Sequence, residues 1–260
     1  MSNKFNFKTL AALGKYPYID KVNLFGQNPA VSTSYETIWQ AGAVYAQLLA
    51  GVAMEVVSAS ANDTAAGTGA RTIRVDYVSG STFLPGYEVV ILNGITPVPL
   101  VATNVIAINK VTVLTAGSGL TNAGNLDVRV IAGAAVKSRL PAGTGAYPRN
   151  ISCDFKYYIP LGYIGLLSSV SFCGYTITGD LSVAINTHDT TGLETTIGIG
   201  QSSLSNTGFN DAKGIVDLGS GVLIPEKTHL EAKVVVSAGV GTVTAQAELL
   251  LFEVKGNGIF

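Results

Sequence analysis

Charge is scarce in this chain of 260 residues: Asp, Glu, Lys and Arg make up only 13% of it. A soluble domain ordinarily carries about twice that share. The two signs nearly cancel, at 16 basic and 17 acidic residues, so no global field exists to gather nucleic acid or an anionic membrane. Disorder is excluded as well, because it requires low hydrophobicity with high net charge, whereas 47% of this chain is hydrophobic. Cysteine is nearly absent. Cys153 and Cys173 sit singly in apolar surroundings, with no paired spacing for zinc, and read as free core thiols. A long apolar run is missing too: the stretch 41–57 is interrupted by Gln47 and Glu55 and is too short to span a bilayer. The opening MSNKFNFKTLAALGKYP lacks the apolar core and cleavage site of a signal peptide, which predicts a protein made in the cytoplasm.

What the chain has in abundance is Gly, Thr, Ser and Val, a composition poor for helices and good for strands and turns. Arg71–Val78 alternates Ile73, Val75 and Tyr77 against Thr72, Arg74 and Asp76. The strand 87–92 ends at Asn93-Gly94, a hairpin signal. Residues 109–115 and 125–131 read as further strands between Gly-rich turns. After the loop 140–150 the pattern restarts with strands at 152–159, 163–172 and 180–186, followed by a polar excursion over 187–214. Thr228, Leu230, Ala232, Val234 and Val236 then alternate with His229, Glu231 and Lys233, which predicts a solvated polar face. The last strand, 242–254, sets Val243, Ala245, Ala247, Leu249 and Leu251 against a polar face that becomes apolar at Leu250, Phe252 and Val254. The expectation is an all-β protein of β-sandwich or jelly-roll modules. Residues 1–41 form an extended N-terminal arm, 42–138 a first β module and 139–260 a second, with strands free to be shared between the two.

The search for chemistry returns little. His188 beside Asp189 could form half of a hydrolase triad or of a metal site, but no GxSxG elbow and no third ligand accompany it. Asp180, Asp189, Glu194 and Asp211 fall between Lys156 and Lys213, where no other basic residue occurs, and Asp217 follows. Such carboxylates could serve a glycosidase, and solvated loops are the plainer reading. The Gly-rich segment 65–71 lacks the Gly-Lys-[Ser/Thr] ending of a phosphate loop and leads into a strand rather than a helix. The expectation is therefore no enzyme, no cofactor and no metal. A strand that is apolar on both faces must be covered on both, either by the chain's own layers or by another subunit. Phe5, Phe7, Tyr16, Tyr18 and Phe25 in the arm, with Trp39, Tyr45, Leu250, Phe252 and Val254, are the candidate interface residues.

One segment carries a resemblance. Residues 55–71, EVVSASANDTAAGTGAR, are similar to a segment found in structural proteins of tailed bacteriophages. There it leads into a strand and then a V-x-L-N-G-x-T-P-V run, matched by Val90–Val98; residues 25–29 (FGQNP), 36–39 (ETIW) and 224–228 (IPEKT) are looser matches. The resemblance implies a virion component with no enzymatic residues to carry over. It predicts copies assembling with one another, a trimer being one such arrangement, and with capsid, collar or tail proteins, without contact to nucleic acid or membrane. The alternative is a receptor- or glycan-binding appendage using Tyr157, Tyr158, Tyr163 and Tyr175 as stacking surfaces. A third reading, a polysaccharide-degrading enzyme, would rest on Asp189 and Asp211.

Overall fold

The computed structural model describes residues 18–143, 150–175, 177, 179–202 and 211–254, with the side chains of residues 211 and 212 left aside. Among them there is no helix, hence none long and apolar enough to cross a membrane. The first strands are β1 (Ile19–Val31), β2 (Glu36–Thr37), β3 (Met54–Ser58), β4 (Ala70–Ser79), β5 (Pro85–Ile91), β6 (Val98–Pro99), β7 (Val105–Ala116), β8 (Leu126–Val130) and β9 (Val136–Leu140). Then come β10 (Lys156–Tyr158), β11 (Tyr163–Tyr175), β12 (Leu181–His188), β13 (Glu194–Ser202), β14 (Asp211–Ile224), β15 (His229–Val236) and β16 (Gly241–Glu253). All the strand pairings are antiparallel.

Two sandwiches result. In one, the sheets β6-β3-β8-β9 and β5-β4-β7 enclose Met54, Val56, Ile73, Val75, Val111, Leu126, Val128 and Leu140. In the other, the sheets β1-β16-β11-β14 and β10-β15-β12-β13 enclose Leu24, Leu167, Phe172, Val183, Ile185, Leu230, Val234, Val243 and Leu249. The alternation read in β4, β15 and β16 sets the inward faces as expected: Ile73, Val75, Leu230, Val234, Val243 and Leu249 are all buried.

The division of the chain differs from the expected one. The described part of the arm is no arm: β1 pairs with β16 from Ile19 to Val31, and β2 pairs with β15. Residues 19–37 therefore belong to the second sandwich, and the first is an insertion into it. The expected boundary after residue 138 also falls inside β9, which ends the first sandwich at Leu140. The strand β1 escaped notice because its inward positions are not uniformly apolar. Gly26 faces in where a Cβ would come within 2.5 Å of Phe155, and Asn28 is buried with its amide bonded to Glu36 and to the Thr37 carbonyl. Phe5, Phe7 and Tyr16 lie outside the described residues.

The insertion splits an edge strand. β2 and β10 both pair with β15, at Lys233–Val234 and at His229–Glu231, and between them the chain leaves at Ile38 and returns at Phe155. There Ile38 N donates to the Ala232 carbonyl, Ala232 N donates to the Phe155 carbonyl, and Phe155 N donates to the Ile38 carbonyl at 2.9 Å. Every backbone group at the break is satisfied, as burial demands.

The Asn93-Gly94 turn is present, with Gly94 at a φ of 61°, but it makes no hairpin. Among the described residues β5 pairs only with β4, and β6 pairs with β3 in the facing sheet, so the turn carries the chain across the sandwich. That leaves β5 as an open edge. Within the polar excursion, β13 pairs with β12 all along its length; its Thr- and Gly-rich sequence hides it from any apolar pattern.

The distinctive segment 55–71 wraps a single buried carboxylate. Asp63 is fully buried and accepts from Ala70 N at 2.7 Å, Ala123 N at 2.8 Å, Gly124 N at 3.0 Å and Ser58 Oγ at 2.6 Å. It ties the end of β3, the start of β4 and the turn before β8 to one point. Replacing it with Ala strands two buried N–H donors, those of Ala70 and Gly124, each costing about 1–3 kcal/mol. Asp63→Ala is therefore expected to destabilise the chain by about 2 kcal/mol or more, measured by urea unfolding, while Asp127→Ala on the half-buried Arg139 ion pair costs about 1 kcal/mol.

Candidate functional site

On β15 the polar residues do not face solvent. His229, at 2% exposure, and Glu231, at 1%, are buried, because the segment that leaves β2 and the inserted sandwich both lie over that face. Cross-strand register sets two rows there. Tyr158, His229, His188 and Glu194 form one, and Lys156, Glu231, Asn186 and Thr196 the next. His188 Nε2 lies 2.6 Å from Glu231 Oε1, not against its neighbour Asp189. Glu231 Oε2 accepts from Thr37 Oγ1 at 2.8 Å, and Lys233 Nζ reaches Glu194 at 2.7 Å and Glu231 at 3.4 Å. Asn186 Nδ2 donates to Glu194.

Tyr45 is the lid of this cluster. Its ring stacks on His229 with centroids 5.0 Å apart and meets Trp39 edge-on at 5.2 Å. Lys156 Nζ lies 5.0 Å and Lys137 Nζ 5.4 Å from the ring centroid, at cation–π range. The fully buried Lys156 ammonium donates to the Ile108 carbonyl of the inserted sandwich at 2.9 Å and lies 3.7 Å from Asp154, whose carboxylate also accepts from Ser138. Asn109 exchanges two hydrogen bonds with the Tyr158 backbone, and Tyr158 packs against Val78, Ile106 and Ala107. The charged cluster is thus the polar half of the seam between the sandwiches.

Burial sets its electrostatics. It drives the Tyr45 hydroxyl upward, with the Asp154 and Glu231 charges adding to the effect. Desolvation lowers the Lys156 ammonium against the pull of Asp154, and lowers that of Lys137, which also feels Lys156. Burial opposes the Glu231 charge, but the His188 hydrogen bond, the nearby His229 and Lys233 and the Thr37 hydroxyl together hold its carboxyl below the usual range. His229 is pushed down to about 3, chiefly by burial and further by Lys156, His188 and Lys233.

The other sequence candidates scatter. Asp189 is exposed, its carboxylate folded back onto Thr191 and Leu193 in a local turn that lowers its pKa through those bonds. Asp217 caps Gly219, and the Asp211 side chain lies outside the described ones. Trp39 and Tyr45, at 5% exposure each, and Leu250, at 2%, are taken up by the chain itself, which corrects their reading as surface contacts. Tyr18, Phe25 and Val254 are exposed and Phe252 is half-buried. Of the tyrosines, Tyr158 is buried, Tyr157 and Tyr163 are half-buried, and Tyr175 is exposed. Sequence reasoning missed Lys156, Asp154 and Glu231. The one available signal was Lys156 standing between Phe155 and Tyr157-Tyr158, an odd place for a solvated lysine.

No protein-family model matches the chain, and no curated protein matches it at a significant level. Among solved structures, murine APRIL aligns over 68% of this chain and 99% of its own at 10% identity and a TM-score of 0.23. The VP2 subviral particle of infectious bursal disease virus aligns over 91% and 73% at 13% identity and 0.23, and the structure of that virus's Gt strain over 93% and 74% at 12% and 0.24. Likeness at that level carries no information about function.

The seam predicts acid sensitivity of a definite sign. His229 takes up a proton near pH 6.5 when unfolded but only near 3 when folded, so the unfolded state binds more protons between those values and stability falls as pH drops through that window. The depressed Glu231 acts in the same direction: its contribution is complete above the unfolded carboxylate pKa and is lost as pH falls through the folded one. Melting temperature recorded from pH 8 to pH 4 is expected to be flat above about 7 and to fall below it. His229→Gln should flatten the part of that slope between pH 6.5 and 5; an unchanged slope would clear His229 of the effect.

Proposed function

We propose that the chain is a non-enzymatic structural component of a tailed-phage virion, present in multiple copies on the capsid surface or at the collar or tail. The observation that carries this reading is what the open strands display. β5 is a sheet edge, and its outward residues Tyr87, Val89 and Ile91 stand 60%, 55% and 61% exposed. Their cross-strand neighbours Asp76, Arg74 and Thr72 lie on β4, and no charged side chain on β5 itself points outward to guard the edge. Charge or Pro in a strand blunts such an edge; in β5 these are Pro85 at its start and Glu88, whose carboxylate turns to the Val101 and Ala102 amides, and the outward apolar row is left bare. Ile215 and Leu223 on β14 and Ile199 on β13 are similarly exposed on edge strands of the second sandwich.

Two further features agree. The segment 55–71 that resembles phage structural proteins serves here as a scaffold built round Asp63, a role that needs no chemistry. The strand order β1-β16-β11-β14 facing β10-β15-β12-β13 is the order expected of an eight-strand jelly roll, with β2 and β10 sharing one strand position. Copies of the chain are its first partners, with neighbouring capsid, collar or tail proteins after them. Association driven by apolar burial depends weakly on salt.

Antibody raised against the purified chain is expected to label gradient-purified particles of the phage that encodes it, with many copies per particle by quantitative mass spectrometry. Absence from the particles would overturn the reading. In solution, replacing Val89 and Ile91 together by Lys is expected to weaken self-association at least about tenfold, some 1.4 kcal/mol, with the melting temperature retained. A wild-type chain that sediments as a monomer at all concentrations would count against edge pairing.

The receptor-binding alternative draws on one place. On the outer face of β1-β16-β11-β14, exposed Phe25 and Tyr175 flank a shallow groove floored by Ser171, Thr244 and Gln246, with Lys213 at its wall. Apolar rings beside hydrogen-bonding groups suit a sugar. Glycan-array binding that Phe25→Ala removes would favour an appendage role.

A further inference from the structure

Within the buried cluster, three side chains from three adjacent strands converge. His188 on β12, Glu231 on β15 and Glu194 on β13 bring one ligand atom each within 4.8 Å of one another. They are neighbours by register: His188 pairs with Glu194 on one side and with His229 on the other, and Asn186, two residues back on the same face, pairs with Glu231. Among the described residues, two buried atoms beside them find no hydrogen-bond partner. These are His229 Nδ1 and Asn186 Oδ1, in residues 2% and 3% exposed. An unpaired polar atom is costly to bury; Asn186 Oδ1 is an acceptor and His229 Nδ1 is one when the ring proton sits on Nε2, and the two beside a His–Glu–Glu set point to a cation site. The cluster is reachable, because the Glu194 side chain is 40% exposed.

We propose that His188, Glu231 and Glu194 bind one divalent transition-metal ion of the zinc type, with His229 or Asn186 as the nearest further donor. An imidazole nitrogen beside carboxylates selects zinc and its neighbours over calcium or magnesium, which take oxygen ligands. Around a tetrahedral ion with bonds of about 2.0–2.1 Å, ligand atoms stand about 3.3 Å apart. His188 Nε2 and Glu231 Oε1, at 2.6 Å, part by less than about an ångström to admit one.

The present holder of that place is Lys233. Its ammonium lies 2.7 and 2.8 Å from the two Glu194 oxygens and 3.4 Å from Glu231. It is a built-in competitor: the ion enters as Lys233 swings out, and any proton on His188 Nε2 leaves to solvent. Two carboxylates and a neutral imidazole around a dication then balance to zero charge. Bound, the ion would pin β13, β12 and β15 together across the sheet, clamping the free edge strand β13.

This site is independent of the virion reading, and its failure leaves that reading untouched. The test is titration of the full chain with ZnCl2 by calorimetry, with MgCl2 as control, and with Co2+ as an absorbing probe. One Zn2+ per chain, a rise in melting temperature, no response to Mg2+ and a four-coordinate Co2+ spectrum are expected. His188→Ala is expected to weaken binding at least tenfold, and Lys233→Met, which removes the competitor and leaves every ligand in place, to tighten it at least tenfold. Lys233→Met also keeps the answer readable if His188→Ala folds poorly. No Zn2+ binding by either the wild type or Lys233→Met would overturn the proposal. So would binding that His188→Ala leaves undiminished, which would place the ion elsewhere.

Discussion

The unpaired side of β15 is the constraint on which the molecule turns. A central strand needs partners on both edges, and β12 supplies only one of them. The other is assembled from two fragments, β2 and β10, that come from opposite ends of a long insertion and meet at Ala232. Because the chain departs and returns at the same point, the inserted sandwich must sit directly against the sheet whose edge it interrupts. The remaining features of the seam follow from that placement. The outward face of β15 is roofed over, so its polar residues lose water and must find one another: Glu231 takes His188 and Thr37, and Lys233 takes the two glutamates.

Buried ion pairs of this kind are poor sources of net stability, since desolvation consumes most of their Coulomb energy. What they supply is direction. The Lys156 ammonium has one carbonyl and one carboxylate to satisfy it, and these come from different parts of the fold: Ile108 on β7 of the insertion, and Asp154 on the returning chain. Any rotation of one sandwich against the other would take the Ile108 carbonyl from a buried cation. The apolar half of the seam, Tyr158 against Val78, Ile106 and Ala107, resists separation but tolerates sliding, and the hydrogen bonds between Asn109 and the Tyr158 backbone remove that tolerance.

How much of this could be read from residues alone varied with the kind of information each element carried. The strands β4, β8, β15 and β16 announced themselves, because their inward faces bear nothing but apolar side chains. β1 and β13 did not: at Gly26 and Asn28 in the one, and at the glycines and threonines of the other, small and amide groups occupy the places where a pattern would show. The two-faced strand β16 was recognised, but what covers Leu250 was not, since its cover is supplied by the chain itself. The polar face of β15 illustrates the general limit. Alternation reports that two faces differ; it does not report which is wet. His229 and Glu231 look like solvated residues because nothing within eight positions of them says that a segment from residue 40 onward will lie on top.

The closeness of Ile38 to Phe155 also bears on how the chain reaches this state. The edge of β15 cannot be completed by a local search, because its two halves are far apart in sequence, and closing a loop of that length costs entropy before any contact repays it. A folded insertion changes the arithmetic, since it presents its two ends side by side as a prearranged pair. A folded first sandwich would thus act as a splint for the second, holding Ile38 beside Phe155 where the edge of β15 is to be closed. An insertion whose ends lie this close constrains the shell only through their spacing, so a different module with the same end-to-end distance would meet the same edge of β15.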